Sequence, residues 1–330
     1  METRPKPFRF GVNIRSARSA SEWAEKANRV EELGYDVFNV PDHLTNLLAP
    51  FPALVSAAAA SARLRVGTHV LNNDLRHPVL VAREAATVDL LTDGRLQLGL
   101  GAGSIRAEYA EAGLKFDRGA IRVERLAEAV AIIKRLLSGE ELTFAGKHYR
   151  VAGHTVGPLP VQKPHPPILI GGNGRQLLSL AAREADIVGL SGITFRDGGV
   201  APPDLSGWRA SSVDERIRLI REAAGEERYA QLEINALLQQ VIVTNDRHRA
   251  AHELSARWPQ LTAEEILQAP YVLIGTLEQI SADLWARRQR WGISGYTVQE
   301  PYMEALGPVV VEMTRLSKSG THLLTDADPE

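Results

Sequence analysis

From residue 8 to residue 316 the chain alternates short apolar runs with longer stretches whose apolar positions recur at helical spacing. The runs 8–14, 36–40, 64–71, 95–100, 167–170, 186–190, 232–243 and 295–299 predict eight strands. The run 36–40, with Val37, Phe38 and Val40, is apolar enough to be buried on both faces, as strands of parallel sheets are. Between them, 19–33, 51–62, 78–91, 120–137, 176–183, 213–223, 277–291 and 302–316 predict helices. The first stops at Gly34, and the long fourth one carries Ile121, Leu126, Val130, Ile133 and Leu137 on one face. Eight strand–helix units predict an α/β fold, a closed (β/α)8 TIM barrel, rather than an open sheet. A dinucleotide-binding open sheet needs G-x-G-x-x-G directly after its first strand. Gly99-Leu100-Gly101-Ala102-Gly103-Ser104 lacks the last glycine, and Gly171-Gly172-Asn173-Gly174 comes far too late.

The regularity lapses at about 139–167, 192–212 and 246–268, which are read as insertions in a single barrel domain spanning 1–330. In the first, 141–151 alternates like an exposed hairpin around Gly146-Lys147. The polar loop 192–207 is long enough to carry function. The tail 317–330 is expected to fray.

Composition narrows the classes. Hydrophobic content of 44% and charged content of 24% are ordinary for a globular protein. A net charge of −2 without a basic run argues against a nucleic-acid partner. With no cysteine there is no disulfide, thiolate nucleophile or thiolate-held metal. Met1 to Pro7 is polar, and no apolar run approaches the length of a membrane span, so a cytoplasmic protein is expected.

Candidate chemistry clusters where strands end. The strand 36–40 runs into Pro41-Asp42-His43, and the carboxyl end of a barrel strand is where ligands bind. A histidine there suits proton transfer near neutral pH, whereas the plain structural role for the pair is to cap the next turn. Thr68, His69, Val70 and Asn72 end the third strand. Gly99, Gly101 and Gly103 leave a bare backbone on alternate positions, against which a flat ligand could lie. Ile170-Gly171-Gly172-Asn173-Gly174-Arg175 reads as strand, glycine turn and helix start; its free N–H groups, helix dipole and Arg175 suit a phosphate, with Ser191 on the next strand as a further donor. Glu108, Arg118, Arg122 and Glu124, with Tyr109 and Phe116, are expected to fix their loop by ion pairs. His248 and His252 stand four apart on a helix with no third ligand, so no metal is expected.

Five blocks, in order, carry a family resemblance: Gly34-Tyr35-Asp36 through Asp42-His43; Val66-Gly67-Thr68-His69-Val70; Leu98 through Gly103 with Glu108-Tyr109 and Gly113; Ile170-Gly171-Gly172; and Gly275-Thr276-Leu277-Glu278. Together the chain resembles the bacterial luciferase-like superfamily of flavin- and deazaflavin-dependent oxidoreductases over residues 8–316. The Asp-His pair is similar to the branch that uses coenzyme F420. That resemblance implies hydride transfer between the deazaflavin C5 and a small organic substrate, with His43 as proton donor or acceptor. It implies that Asp42 contacts the ring or orients His43, and that the His69–Val70 bond is a cis peptide behind the ring. Gly171, Gly172 and Ser191 would hold the cofactor phosphate. The alternatives are an FMN-dependent monooxygenase and a catalytically silent flavin-binding barrel. Ser104 stands where the sugar-phosphate branch carries a catalytic acid, so that acid is missing at its usual position. Relatives are often homodimers, which makes the Ala-rich helix 51–62 a candidate interface.

Overall fold

The structure, a computed structural model, describes residues 6–195, 198–200 and 202–319, without the side chains of 317–319. Most of the tail expected to fray, from residue 320 on, lies outside the described residues, as do Arg196, Asp197 and Ala201 of the loop 192–207.

In chain order the first half runs β1 (Arg9–Asn13), α1 (Ala20–Glu32), β2 (Val37–Val40), α2 (Pro50–Ala59), β3 (Arg65–Thr68), β4 (Leu71–Asn72), α3 (Pro78–Leu91), β5 (Leu96–Gly101), α4 (Arg106–Glu111) and α5 (Gly119–Leu137). A hairpin, β6 (Leu142–Ala145) and β7 (Arg150–His154), leads to β8 (Ile168–Gly171), α6 (Arg175–Glu184), β9 (Ile187–Leu190), α7 (Ala210–Ala224) and α8 (Glu226–Gln231). The chain continues through β10 (Glu233–Leu237), β11 (Gln240–Val243), α9 (Arg247–Arg257), α10 (Ala263–Gln268), β12 (Val272–Gly275), α11 (Leu277–Trp291), β13 (Ile293–Gln299) and α12 (Met303–Ser319).

The parallel strands pair in the order β3-β2-β1-β13-β10-β9-β8-β5, and β3 pairs again with β5 to close the ring. This is the eight-stranded barrel that the apolar runs predict. Closure buries both faces: Val37, Phe38, Asn39 and Val40 are all buried, and so is every residue of β5. The hairpin around Gly146-Lys147 forms as an antiparallel pair.

One expected strand, 232–243, is two. β10 stays in the barrel, while β11 leaves it and pairs in parallel with β12, an apolar run that the strand count missed. The chain turns between them because Leu238 N–H donates to Thr297 O at 2.7 Å and Gln239 N–H to Tyr271 O at 2.8 Å. The first bond still holds the chain to β13 of the ring, and the second hands it to the residue before β12.

The amino-terminal ends of the strands are locked by carboxylates. Asp36 accepts from Phe10 N–H and Asp186 from Ile168 N–H, each at 2.8 Å, so the residue before a strand holds the start of its neighbour. Asp89, fully buried at the end of α3, accepts from Leu96 N–H at 3.3 Å and from the backbone and side chain of Gln162 at 2.9 and 2.6 Å. Among the described residues no helix is long and apolar enough to cross a membrane.

Candidate active site

A cleft of about 790 Å³ opens at the carboxyl ends of the strands. It is lined from the ends of β2, β3, β5, β8, β9, β10 and β13, through His43, Val70, Gly101, Gly171, Ser191, Leu237 and Gln299 among others. Such a volume suits a drug-sized ligand.

On one wall, His43 follows β2. Its Nδ1 lies 2.8 Å from Glu108 Oε1, and the other oxygen of Glu108 accepts Leu44 N–H at 3.2 Å. The carboxylate can only accept, so Nδ1 carries the proton, and Nε2 has no hydrogen-bond partner among the described residues. The Glu108 side chain is 7% exposed and that of His43 37% exposed, so a shielded carboxylate holds a reachable imidazole in one tautomer and orientation. Glu108 was expected only to tie its loop. In fact it fixes the imidazole that follows β2, and it stands one turn beyond Ser104, in α4.

Asp42 behaves differently from its expectation. Arg76 clamps both of its oxygens, at 2.6 and 3.2 Å, and Asn72 N–H donates to Oδ2 at 3.0 Å. The carboxylate is buried at the edge of the cleft and does not orient His43; it pins the turn after β4 to the end of β2. Thr68, expected to meet a cofactor, is fully buried and closes on Gly99, donating to its carbonyl and accepting from its N–H, both at 2.8 Å.

The His69–Val70 peptide is cis, as the resemblance implies. Val70 sits in a slot of glycines: a Cβ at Gly101 would lie 2.6 Å from Val70 Cγ2, and one at Gly171 3.1 Å from Cγ1. Gly103, at φ +76°, has Tyr109 Oη and Asn72 Oδ1 where a Cβ would go. The alternate glycines thus make room for the protein's own side chains rather than for a flat ligand, and the ligand-facing surface is Val70 itself. Tyr109 Oη lies 2.9 Å from Asn72 Oδ1 and holds that side chain at the cleft. His69 packs below, with Asn13 Nδ2 at 3.4 Å from Nδ1, while Nε2 is buried without a partner. Burial pushes the His69 pKa down to about 4, so this imidazole is neutral at ordinary pH.

Across the cleft, Asn173 latches two loops together. Its Oδ1 accepts from Ser191 N–H (3.3 Å) and Gly192 N–H (2.9 Å), and its Nδ2 donates to Ser191 Oγ (2.8 Å) and Ile193 O (2.6 Å). Gly172 N–H donates to Gly189 O at 3.0 Å and is unavailable to a ligand, contrary to expectation. What remains for an anion is the start of α6, where Gly174 is the N-cap and no side chain caps the first N–H groups. Arg175 is exposed at that first turn, outside the cleft lining.

Of the residues expected at the site, Asp42, His43, His69, Val70, Asn72, Gly101, Gly103, Ser104, Gly171, Gly172, Asn173, Gly174 and Ser191 come together there. Sequence reasoning missed Glu108, Arg106 and Arg118 as cleft residues, together with Leu237, Gln239 and Gln299. A search for charged side chains in the first helix after a barrel strand would have found Glu108.

A closed (β/α)8 barrel with a ligand-sized cleft at the carboxyl ends of its strands is what this fold defines. The sequence profile of the luciferase-like monooxygenase family matches residues 6–295, and the chain belongs to that family. An F420-dependent glucose-6-phosphate dehydrogenase from Microbacterium testaceum is 34% identical over 189 residues, 54% of this chain and 55% of that protein. The chain thus spans little more than half the length of that relative. The coenzyme F420-dependent tetrahydromethanopterin reductase from Methanopyrus kandleri superposes with a TM-score of 0.72 at 16% identity, covering 93% of this chain and 99% of that one. A monooxygenase from Streptomyces bottropensis superposes with a TM-score of 0.67 at 21% identity, covering 96% and 98%. At these identities the two structures speak for the fold.

Proposed function

We propose that this chain is a coenzyme F420-dependent oxidoreductase, a reductase or dehydrogenase acting on a small organic molecule, with His43 as its proton donor or acceptor. The supporting observation is the His43–Glu108 pair at the mouth of β2, a buried carboxylate holding an imidazole whose other nitrogen faces the cleft. The name of the Microbacterium relative favours F420 over FMN.

The residues present fit such a cofactor. A tricyclic ring needs a broad apolar contact, which Val70 offers from its glycine slot, and the orphaned His69 Nε2 beneath is a donor for a ring heteroatom. A phosphate needs unpaired donors, which the uncapped start of α6, the Gly174 N–H and the Ser191 hydroxyl supply, with Arg175 adding charge. When bound, coenzyme F420 supplies or accepts a hydride at C5. His43 Nε2 delivers or removes the matching proton on the substrate oxygen, and Glu108 stabilises the imidazolium present in the protonated state. Leu177, Leu190 and Leu237 line the cleft and exclude water from that exchange.

The proposal is of a cytoplasmic homodimer built from one barrel domain per chain. The expected interface helix, α2, packs Phe51, Leu54, Ala57 and Ala58 against the barrel, and the neighbouring α3 adds the exposed Leu80, Leu90 and Leu91 as a second candidate contact.

Fluorescence titration of the apo-protein with F420 and with FMN tests the assignment. F420 binding with weak or no FMN binding is expected. Tight FMN binding without F420 binding overturns it in favour of a flavin monooxygenase. Arg175→Ala should weaken F420 binding while leaving the melting temperature unchanged.

A further inference from the structure

The cleft carries positive charge that its own carboxylates do not neutralise. Asp42 is clamped by Arg76 and Glu108 is held by His43. Asp117 binds Lys115 at 2.7 Å and Arg125 at 2.5 Å. On the wall built by α4 and the start of α5, Arg106, Arg118 and Arg122 all line the cleft, and none has a carboxylate partner among the described residues. Arg122 is held rigidly: Nε donates to Ala102 O at 3.2 Å, Nη1 donates to Asp117 O, and its guanidinium stacks 4.0 Å from the Phe116 ring centroid. Arg106 stacks on the same ring at 4.9 Å. Two like charges gathered on one ring repel each other unless an anion joins them. Burial holds the Arg122 pKa below the usual guanidinium range, and the positive charges of Arg106 and Arg125 add to this against the opposing pull of Tyr109 and Asp74.

This set is distinct from the uncapped start of α6, which lies on another strand–helix unit and already answers for the cofactor phosphate. We propose that Arg106, Arg118 and Arg122 form a second anion site, which takes the phosphate or carboxylate of the substrate, so that the substrate is an acid rather than a neutral alcohol or hydrocarbon. The inference rests on the reading above only in assigning the α6 turn to the cofactor. Planar guanidiniums suit the paired oxygens of either acid group. Arg118 is exposed at the N-cap of α5, free to close on a ligand, while Arg122 is fixed in advance.

The test uses inorganic phosphate as the probe on F420-loaded protein, followed by calorimetry, in the wild type and in an Arg106→Gln/Arg118→Gln double variant. Those two side chains are exposed, so the fold should survive, and an unchanged melting temperature verifies that. Phosphate should bind the loaded wild type and bind the double variant about 10-fold or more weakly, the usual strength of charge-assisted bonds. F420 affinity should change by less than about 3-fold, far below that charge-assisted loss. Equal phosphate binding by both proteins, or none by the wild type, overturns the inference. A parallel fall in F420 affinity also overturns it, since the arginines would then serve the cofactor's own acidic tail. If F420 fails to bind but FMN binds, the cofactor assignment fails, and the same titration on FMN-loaded protein still decides the anion site.

Discussion

The two ends of this barrel are built from similar residues to opposite effect. At the amino-terminal end, Arg9 reaches both Glu233 (2.8 Å) and Gln97 (3.0 Å), and Arg65 reaches Gln162, which in turn fills Asp89. Asp36 and Asp186 cap neighbouring strands. Charges there close on one another or on backbone. At the carboxyl-terminal end, among the described residues, His43 Nε2 and His69 Nε2 have no hydrogen-bond partner, no side chain caps the α6 N-terminus, and Arg106, Arg118 and Arg122 have no carboxylate partner. Closed networks stabilise the fold, whereas unsatisfied donors and charges store affinity for something not in the chain. Substitutions at the two ends should therefore separate stability from turnover.

The largest effect belongs to His43. His43→Asn should lower kcat by about 10²–10⁴-fold, the usual worth of general acid–base catalysis, while leaving F420 affinity and melting temperature nearly unchanged. Steady-state rates beside a fluorescence titration measure this, and an unaltered kcat removes His43 from the chemistry.

Next comes the pH response of the buried imidazole. His69 has its pKa pushed from 6.5 to about 4, so between those values the unfolded chain takes up a proton that the folded chain does not. Stability is then fully present above about pH 6.5 and falls as the pH drops toward 4, by at most about 3 kcal/mol. Urea unfolding at pH 7 and pH 4.5 measures the loss, and His69→Gln should shrink it. A loss unaltered in that variant would assign it to other groups.

Asp89→Asn should cost about 2–3 kcal/mol, because an amide sets a donor against N–H groups that now meet a carboxylate. The melting temperature should fall by several degrees with kcat per folded molecule retained. A kcat that falls instead would break the division between the two ends. The smallest effect is expected from Glu108→Gln, whose oxygen can still accept from His43 Nδ1. A loss of about 10-fold in kcat, with KM held, would reflect a weakened grip on the imidazolium. No loss would return Glu108 to the loop-fixing role its sequence position first suggests.

The barrel was legible because short apolar runs recur eight times between stretches of helical spacing, and runs such as Val37-Phe38 and Ile168-Leu169-Ile170 put apolar side chains on both faces of a strand. The β11–β12 pair was not legible, since two hydrogen bonds from Leu238 and Gln239 to distant chain decide where 232–243 breaks. Within the site, His43 could be placed because it directly ends a strand. Its partner could not, because 65 residues separate it from Glu108 and nothing in the local pattern links them.

By itself the sequence determined the number and order of the barrel's own strands and the end at which ligands gather, since these follow from periodicity and from where apolar runs stop. Only the tertiary structure decided which polar groups are used up and which stay open. It took Asp42 for Arg76 and Thr68 for Gly99, filled the glycine slots with Val70 and Tyr109, gave Glu108 to His43, and left Arg106, Arg118 and Arg122 without a carboxylate partner among the described residues. The physical reason is range: hydrophobic burial is encoded residue by residue along the chain, whereas a hydrogen bond or ion pair exists only once both partners have been carried together.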